Sequence, residues 1–151
     1  MKEKTIDYVL RITWQAVNKM YNEEALKFDS TMATGFTLLS IDPEEGTPST
    51  ALGPKMGMEA TSLSRILKTM EERGLIERKP NPDDGRGVLI HLTDFGREKR
   101  EYSRERVLTF NNAIRDNISE EKLKHFYEVT EVINEMISNK KIYNHKEDIL
   151  K

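Results

Sequence analysis

The stretch from Glu59 to Thr93 constrains this chain most. Leu63, Ile66, Leu67 and Met70 recur at i, i+3, i+4 and i+7, the spacing that lines one side of an α-helix with apolar side chains. A helix from about Glu59 to Arg73 is predicted, with Thr61, Ser62, Ser64, Arg65, Lys68 and Thr69 on or beside its free face. Gly74 follows, where helices commonly end in a left-handed residue. Leu75 to Lys79 and Val88 to Leu92 then read as short strands, and Pro80 to Gly87 between them is dense in turn formers. The expected unit is a helix followed by a β-hairpin with a long tip. An α-helix with a polar, basic outer face fits the major groove of duplex DNA, and side chains of an adjoining hairpin fit the neighbouring minor groove.

The rest of the chain supplies helices around this unit. Ile6, Val9, Leu10, Ile12, Val17, Met20 and Tyr21 keep roughly helical spacing from Thr5 to about Phe28, uninterrupted by Pro or Gly. Asp29, Ser30 and Thr31 are candidate caps for a second helix, Met32 to about Ile41, which Asp42-Pro43-Glu44-Glu45-Gly46 stops. Pro48 and Ser49 open a third helix to about Met56, expected to be short or kinked because Pro54 lacks a backbone donor. Thr93 caps a fifth helix to about Asn117, and Ser119 a sixth to about Asn139 that carries Leu123, Phe126, Tyr127, Ile133 and Ile137. Lys140 to Lys151 reads as a polar tail or one frayed helical turn. The fold class expected is mainly α with a small β-hairpin wing: six helices in a single domain over 1–151, a winged lobe at about 30–95, and helical arms at about 1–28 and 96–140.

Composition narrows the functions open to such a chain. With no cysteine among 151 residues, disulfides, thiolate nucleophiles and Cys-ligated zinc are excluded, and a reducing cytoplasm is the expected setting. No apolar run approaches the roughly 20 residues that span a bilayer, so neither export nor membrane insertion is expected. The net charge of −2 conceals an uneven distribution: residues 50–106 hold 12 Lys/Arg against 10 Asp/Glu, whereas both flanking segments are net acidic. Electrostatic binding depends on where charge sits rather than on its total. His91, His125 and His145 are too far apart for a ligand motif, and His91 is expected at the surface of a wing strand. Gly85-Arg86-Gly87 lacks the third glycine of a dinucleotide loop and leads into a strand, and no nucleophile elbow is present. No catalytic residue, metal site or cofactor is expected.

From Leu63-Ser64-Arg65-Ile66-Leu67-Lys68 through Arg73-Gly74-Leu75-Ile76-Glu77-Arg78, and again in Asp84-Gly85-Arg86 with Leu92-Thr93-Asp94-Phe95-Gly96, the chain resembles the MarR family of bacterial transcriptional regulators. The resemblance covers nearly the whole chain. It departs at Gly85, a wing position often basic in the family, and at Pro54. It implies a sequence-specific, double-stranded-DNA-binding transcriptional regulator, a homodimeric repressor acting at pseudo-palindromic sites. Arg65 is then the candidate for guanine, Thr61, Ser62, Ser64, Ser49, Thr50 and Thr69 for bases or phosphates, and Lys68 for phosphate; Arg86 is assigned to the minor groove. Asp84, repelled by phosphate, is assigned to orienting the wing. Ile6, Leu10, Phe126, Ile133 and Ile137 are candidates for the dimer interface or for core within one chain. Tyr8, Trp14, Phe36 and Tyr102 are candidates for an effector pocket taking a small aromatic or phenolic ligand, or for ordinary packing. The alternative is a winged helix used as a protein-binding module without specific DNA binding, which the near-neutral net charge and Gly85 favour.

Overall fold

The computed structural model describes residues 4–143. The remaining residues, including His145 and most of the polar tail, lie outside the described part. Six helices occur there: α1 (Ile6–Leu26), α2 (Met32–Ser40), α3 (Ser49–Met56), α4 (Ala60–Glu72), α5 (Asp94–Asn117) and α6 (Glu120–Ser138). Three strands, β1 (Thr47–Pro48), β2 (Ile76–Asn81) and β3 (Asp84–Leu92), form an antiparallel sheet in the order β1-β3-β2.

Capping side chains explain several helix starts. Thr31 Oγ1 accepts from Thr34 N at 3.2 Å, Thr93 Oγ1 from Gly96 N at 3.0 Å, and Ser119 Oγ from Lys122 N at 3.3 Å. Pro54 lies inside α3, whose eight residues end at Gly57 in the left-handed region, φ 63°. Two features depart from the expected hairpin. Thr47 and Pro48 add a third strand, pairing with Ile90 and Leu89. The long tip shrinks to a turn at Pro82-Asp83, because β2 and β3 keep pairing almost to their ends.

The chain divides into two compact units, one ending at Val107 and the other beginning at Leu108. The first therefore holds α1 and the first part of α5 together with the winged lobe. Its core is Leu38, Ile41, Leu52, Leu63, Leu67, Met70, Leu75, Ile76, Ile90 and Leu92. Full burial of such side chains contributes about 1.5–3 kcal/mol each before the entropy of ordering the chain is set against it. The α4 stripe lies in this core, with Ile66 half-buried at its margin. α1 buries no residue completely. In the second unit α6 likewise has no fully buried residue; its His125 ring lies between Glu121 and Glu128 on the surface, at 3.8 and 3.2 Å.

Candidate nucleic-acid interface

α4 is held by its buried stripe, so its opposite face is presented without a cover. Thr61, Ser62, Ser64, Arg65, Lys68 and Thr69 are all exposed on it. Among the described residues, neither Arg65 nor Lys68 has an acidic partner, so no ion pair need break before either meets a phosphate. The Thr69 hydroxyl donates to Arg65 O at 3.1 Å and keeps only its acceptor capacity for other partners. Ser49 and Thr50 stand at the start of α3, the first half-buried and the second exposed.

Ser49, Thr50 and Ser64 line one open groove of about 510 Å³ that runs between α3 and α4. Arg78 of β2 and Glu59 line it too. Sequence periodicity did not mark Arg78, because an outward residue on a short strand looks like any surface charge. Its Nε lies 3.4 Å from Glu71 Oε2 at the end of α4, which ties the strand to the helix.

The wing owes its shape to a break in register. Pro80 pairs with Val88 but Asn81 pairs with Asp84, so Gly85, Arg86 and Gly87 bulge from β3. Asp84 Oδ1 accepts the Arg86 N–H at 3.0 Å, and Asn81 Oδ1 accepts the Asp83 N–H at 3.0 Å. A Cβ at Gly87 would lie 3.3 Å from Asp84 Oδ2 and 3.4 Å from Asn81 Cβ, so a larger residue would press on the carboxylate. Asp84 thus holds the backbone of the bulge, and the Arg86 side chain is exposed. At Gly85 a Cβ would meet nothing within 4 Å. His91, expected at the surface, is instead half-buried: its ring fills the space over Gly46, where a Cβ would fall 2.7 Å from His91 Cε1. The cause is β1, which brings the Gly46 turn onto β3.

Of the interface candidates, Ile6 (69% exposed), Leu10, Phe126 and Ile137 (61%) are exposed, and Ile133 is half-buried. Phe36 and Tyr102 come together in a cavity of about 50 Å³ lined also by Tyr21, Phe28, Met32 and Arg106. Tyr8 and Trp14 do not line it: both are exposed on the N-terminal half of α1, a correction to their grouping with Phe36 and Tyr102. Tyr21, near the C-terminal end of the same helix, and Phe28, in the turn that follows it, take that part. The Phe28 ring lies on that of Tyr102, centroids 3.7 Å apart, and Tyr21 meets Phe36 edge-on at 5.6 Å. Tyr102 OH and Arg106 Nε are buried without a hydrogen-bond partner among the described residues.

The MarR family model matches residues 31–88, the segment that holds α2, α3, α4 and the wing bulge. An uncharacterised HTH-type transcriptional regulator of Bacillus subtilis (strain 168), YdgJ, is 31% identical over 88 residues, 58% of this chain and 54% of that protein. The HTH-type transcriptional regulator SarZ of Staphylococcus saprophyticus is 27% identical over 99 residues, 66% of this chain and 68% of its own length. Over this segment the chain is similar to the MarR family. As in the MarR resemblance drawn from sequence, Arg65 and Arg86 lie inside the matched stretch, whereas α1 and α6 lie outside it. The match to YdgJ spans about half of that relative. The likeness to a solved MarR-fold chain, that of the S. aureus MepR–DNA complex, is wider: TM-score 0.77 over 91% of this chain and 99% of that one. At 22% identity it is a likeness of fold.

Proposed function

We propose that this chain is a sequence-specific, double-stranded-DNA-binding transcriptional regulator, working in the cytoplasm as a homodimeric repressor relieved by a small effector. The observation that carries the reading is the α4 face: a helix anchored by Leu63, Leu67 and Met70 presents four hydroxyls, Arg65 and Lys68, the two cations having no acidic partner among the described residues, beside a wing whose bulge carries Arg86 outward. Arg65 is suited to O6 and N7 of a guanine, Lys68 and the Ser/Thr hydroxyls to phosphates or base edges, and Arg86 to the negative potential of a narrow minor groove. The exposed apolar residues of α1 and α6 support a homodimer, because water-exposed Ile6, Phe126 and Ile137 gain most from a partner's apolar surface. Two-fold symmetry would then set the two reading helices about 34 Å apart, one DNA turn, and select a pseudo-palindromic site.

The Phe36/Tyr102 cavity supports an effector of modest size. Its aromatic lining suits a small aromatic ligand, and the unpartnered Tyr102 OH and Arg106 Nε suit a phenolate or other acceptor on its rim. At about 50 Å³ the cavity is well short of the roughly 150 Å³ that admits a benzene ring, so such a ligand must open it. A coupling of about 1–3 kcal/mol between this site and DNA would change affinity about 5- to 150-fold.

Selection of genomic fragments by the purified protein, read by sequencing, tests the proposal. Enrichment of fragments that share a pseudo-palindrome is expected. If no fragment outcompetes random DNA, the regulator reading fails and the protein-binding module takes its place.

A further inference from the structure

The loop between α1 and α2 is built in an unusual way. α1 ends in a turn closed by Asp29 N to Leu26 O and Ser30 N to Ala25 O, 3.2 and 3.0 Å, with the intervening left-handed position filled by Asp29, φ 54°. Glycine is the usual occupant, and a non-glycine residue there is strained unless its surroundings hold it. Asp29 is held from outside the loop. Its carbonyl accepts the Arg73 guanidinium, Nη2 to O 2.6 Å, and Arg73 is the residue that closes the C-terminal end of α4. The neighbours on both sides of Asp29, Phe28 and Ser30, line the Tyr102 cavity. A single side chain therefore joins the reading helix to the loop that forms the cavity wall.

From this we infer that Arg73 is a positioning residue: it ties α4 to the Asp29 carbonyl, so that any displacement of Phe28 from Tyr102 reaches the reading helix. The inference rests on the DNA-reading function proposed above. A ring entering the 50 Å³ cavity has to displace lining side chains, and Phe28, partly exposed and on a loop, is the one with somewhere to go. Because Phe28 and Asp29 are covalent neighbours, that movement turns the carbonyl that Arg73 grips. Asn22 Oδ1 also spans the loop, accepting Met32 N at 3.0 Å, but it joins α1 to α2 and does not reach α4; Lys55 Nζ to Ser40 O and Arg97 Nη2 to Pro43 O, both 2.8 Å, run elsewhere.

The test needs no effector. Phe28→Ala removes the ring from Tyr102, and its consequence is compared in the native and R73M backgrounds through a double-mutant cycle on the selected DNA fragment. Phe28→Ala is expected to change the Kd about fivefold or more when Arg73 is present and less than twofold in R73M, with R73K recovering part of the dependence. An equal effect of Phe28→Ala in both backgrounds overturns the inference. Hydrogen exchange of the α4 amides from Thr69 to Arg73, measured without DNA, gives the second readout: Phe28→Ala should lower their protection in the native background only. If wild-type protein selects no fragment, the function proposal fails, and the exchange result alone decides the role of Arg73.

Discussion

Replacing Gly96 by Ala adds one methyl group at the tightest joint of the winged lobe. Gly96 is the third residue of α5, buried against the Leu75 carbonyl at the start of the wing, and a Cβ built there overlaps that oxygen. The same carbonyl accepts Thr93 N at 3.1 Å, and Thr93 Oγ1 donates to Gly74 O at 2.6 Å. α5 cannot make room for the methyl without loosening these two bonds, at about 0.5–1.5 kcal/mol each. Overpacking strain adds about 1–3 kcal/mol. Helix propensity acts the other way, favouring Ala by about 0.8–1 kcal/mol. The net expectation is a loss of about 1–5 kcal/mol, or a fall in Tm of about 2–20 °C for a chain of this size. Equilibrium unfolding in urea at fixed protein concentration measures it, with Gly85→Ala as the control, since nothing lies within 4 Å of that Cβ. Stability of G96A within about 0.5 kcal/mol of wild type would refute the reasoning, because surface-like tolerance is incompatible with a blocked Cβ.

Other expectations follow from the site and the turns. Gly85→Lys fills open space next to the wing arginine and should tighten binding to the selected fragment while steepening its salt slope by about 1, read by fluorescence anisotropy across salt concentrations. Asp84→Ala frees the Arg86 N–H and the bulge, and should weaken DNA binding several-fold with little change in unfolding free energy. Two backbone N–H groups, of Glu45 first and then Glu44, hold the Asp42 carboxyl below its ordinary value of 3.8. A depressed carboxyl contributes stability that is present above the unfolded value and is lost as pH falls through the folded one. D42N should therefore flatten the loss of stability below about pH 4, as followed by acid unfolding; an unchanged acid limb would remove Asp42 from the account.

Helix positions were legible because they depend on local signals. Thr31, Thr93 and Ser119 cap the helices they announce, and the Leu63/Ile66/Leu67/Met70 period identifies the buried side of α4. What escaped depends on partners distant in sequence. Thr47 and Pro48 have no strand character of their own and pair only because β3 presents an edge, and that pairing in turn puts His91 over Gly46. Pro80, Asn81 and Asp84 read as turn residues, yet a bulge allows pairing to continue past them. The cavity shows the same limit: aromatic spacing along α1 does not tell the C-terminal Tyr21 and Phe28, which meet Phe36 and Tyr102, from the exposed Tyr8 and Trp14. Arg78 joins the α3/α4 groove only through the path of β2.

The central claim, that the α4 face and the wing read duplex DNA, is tested most directly by the affinity ratio of the selected fragment to random DNA in wild type, R65A and R86A. Wild type should show a ratio of about 10³ or more. R65A should lose about 1–3 kcal/mol on the selected fragment with relaxed discrimination, and R86A should weaken binding and lower the salt slope by about 1. Wild-type affinity and discrimination in both variants would contradict the account.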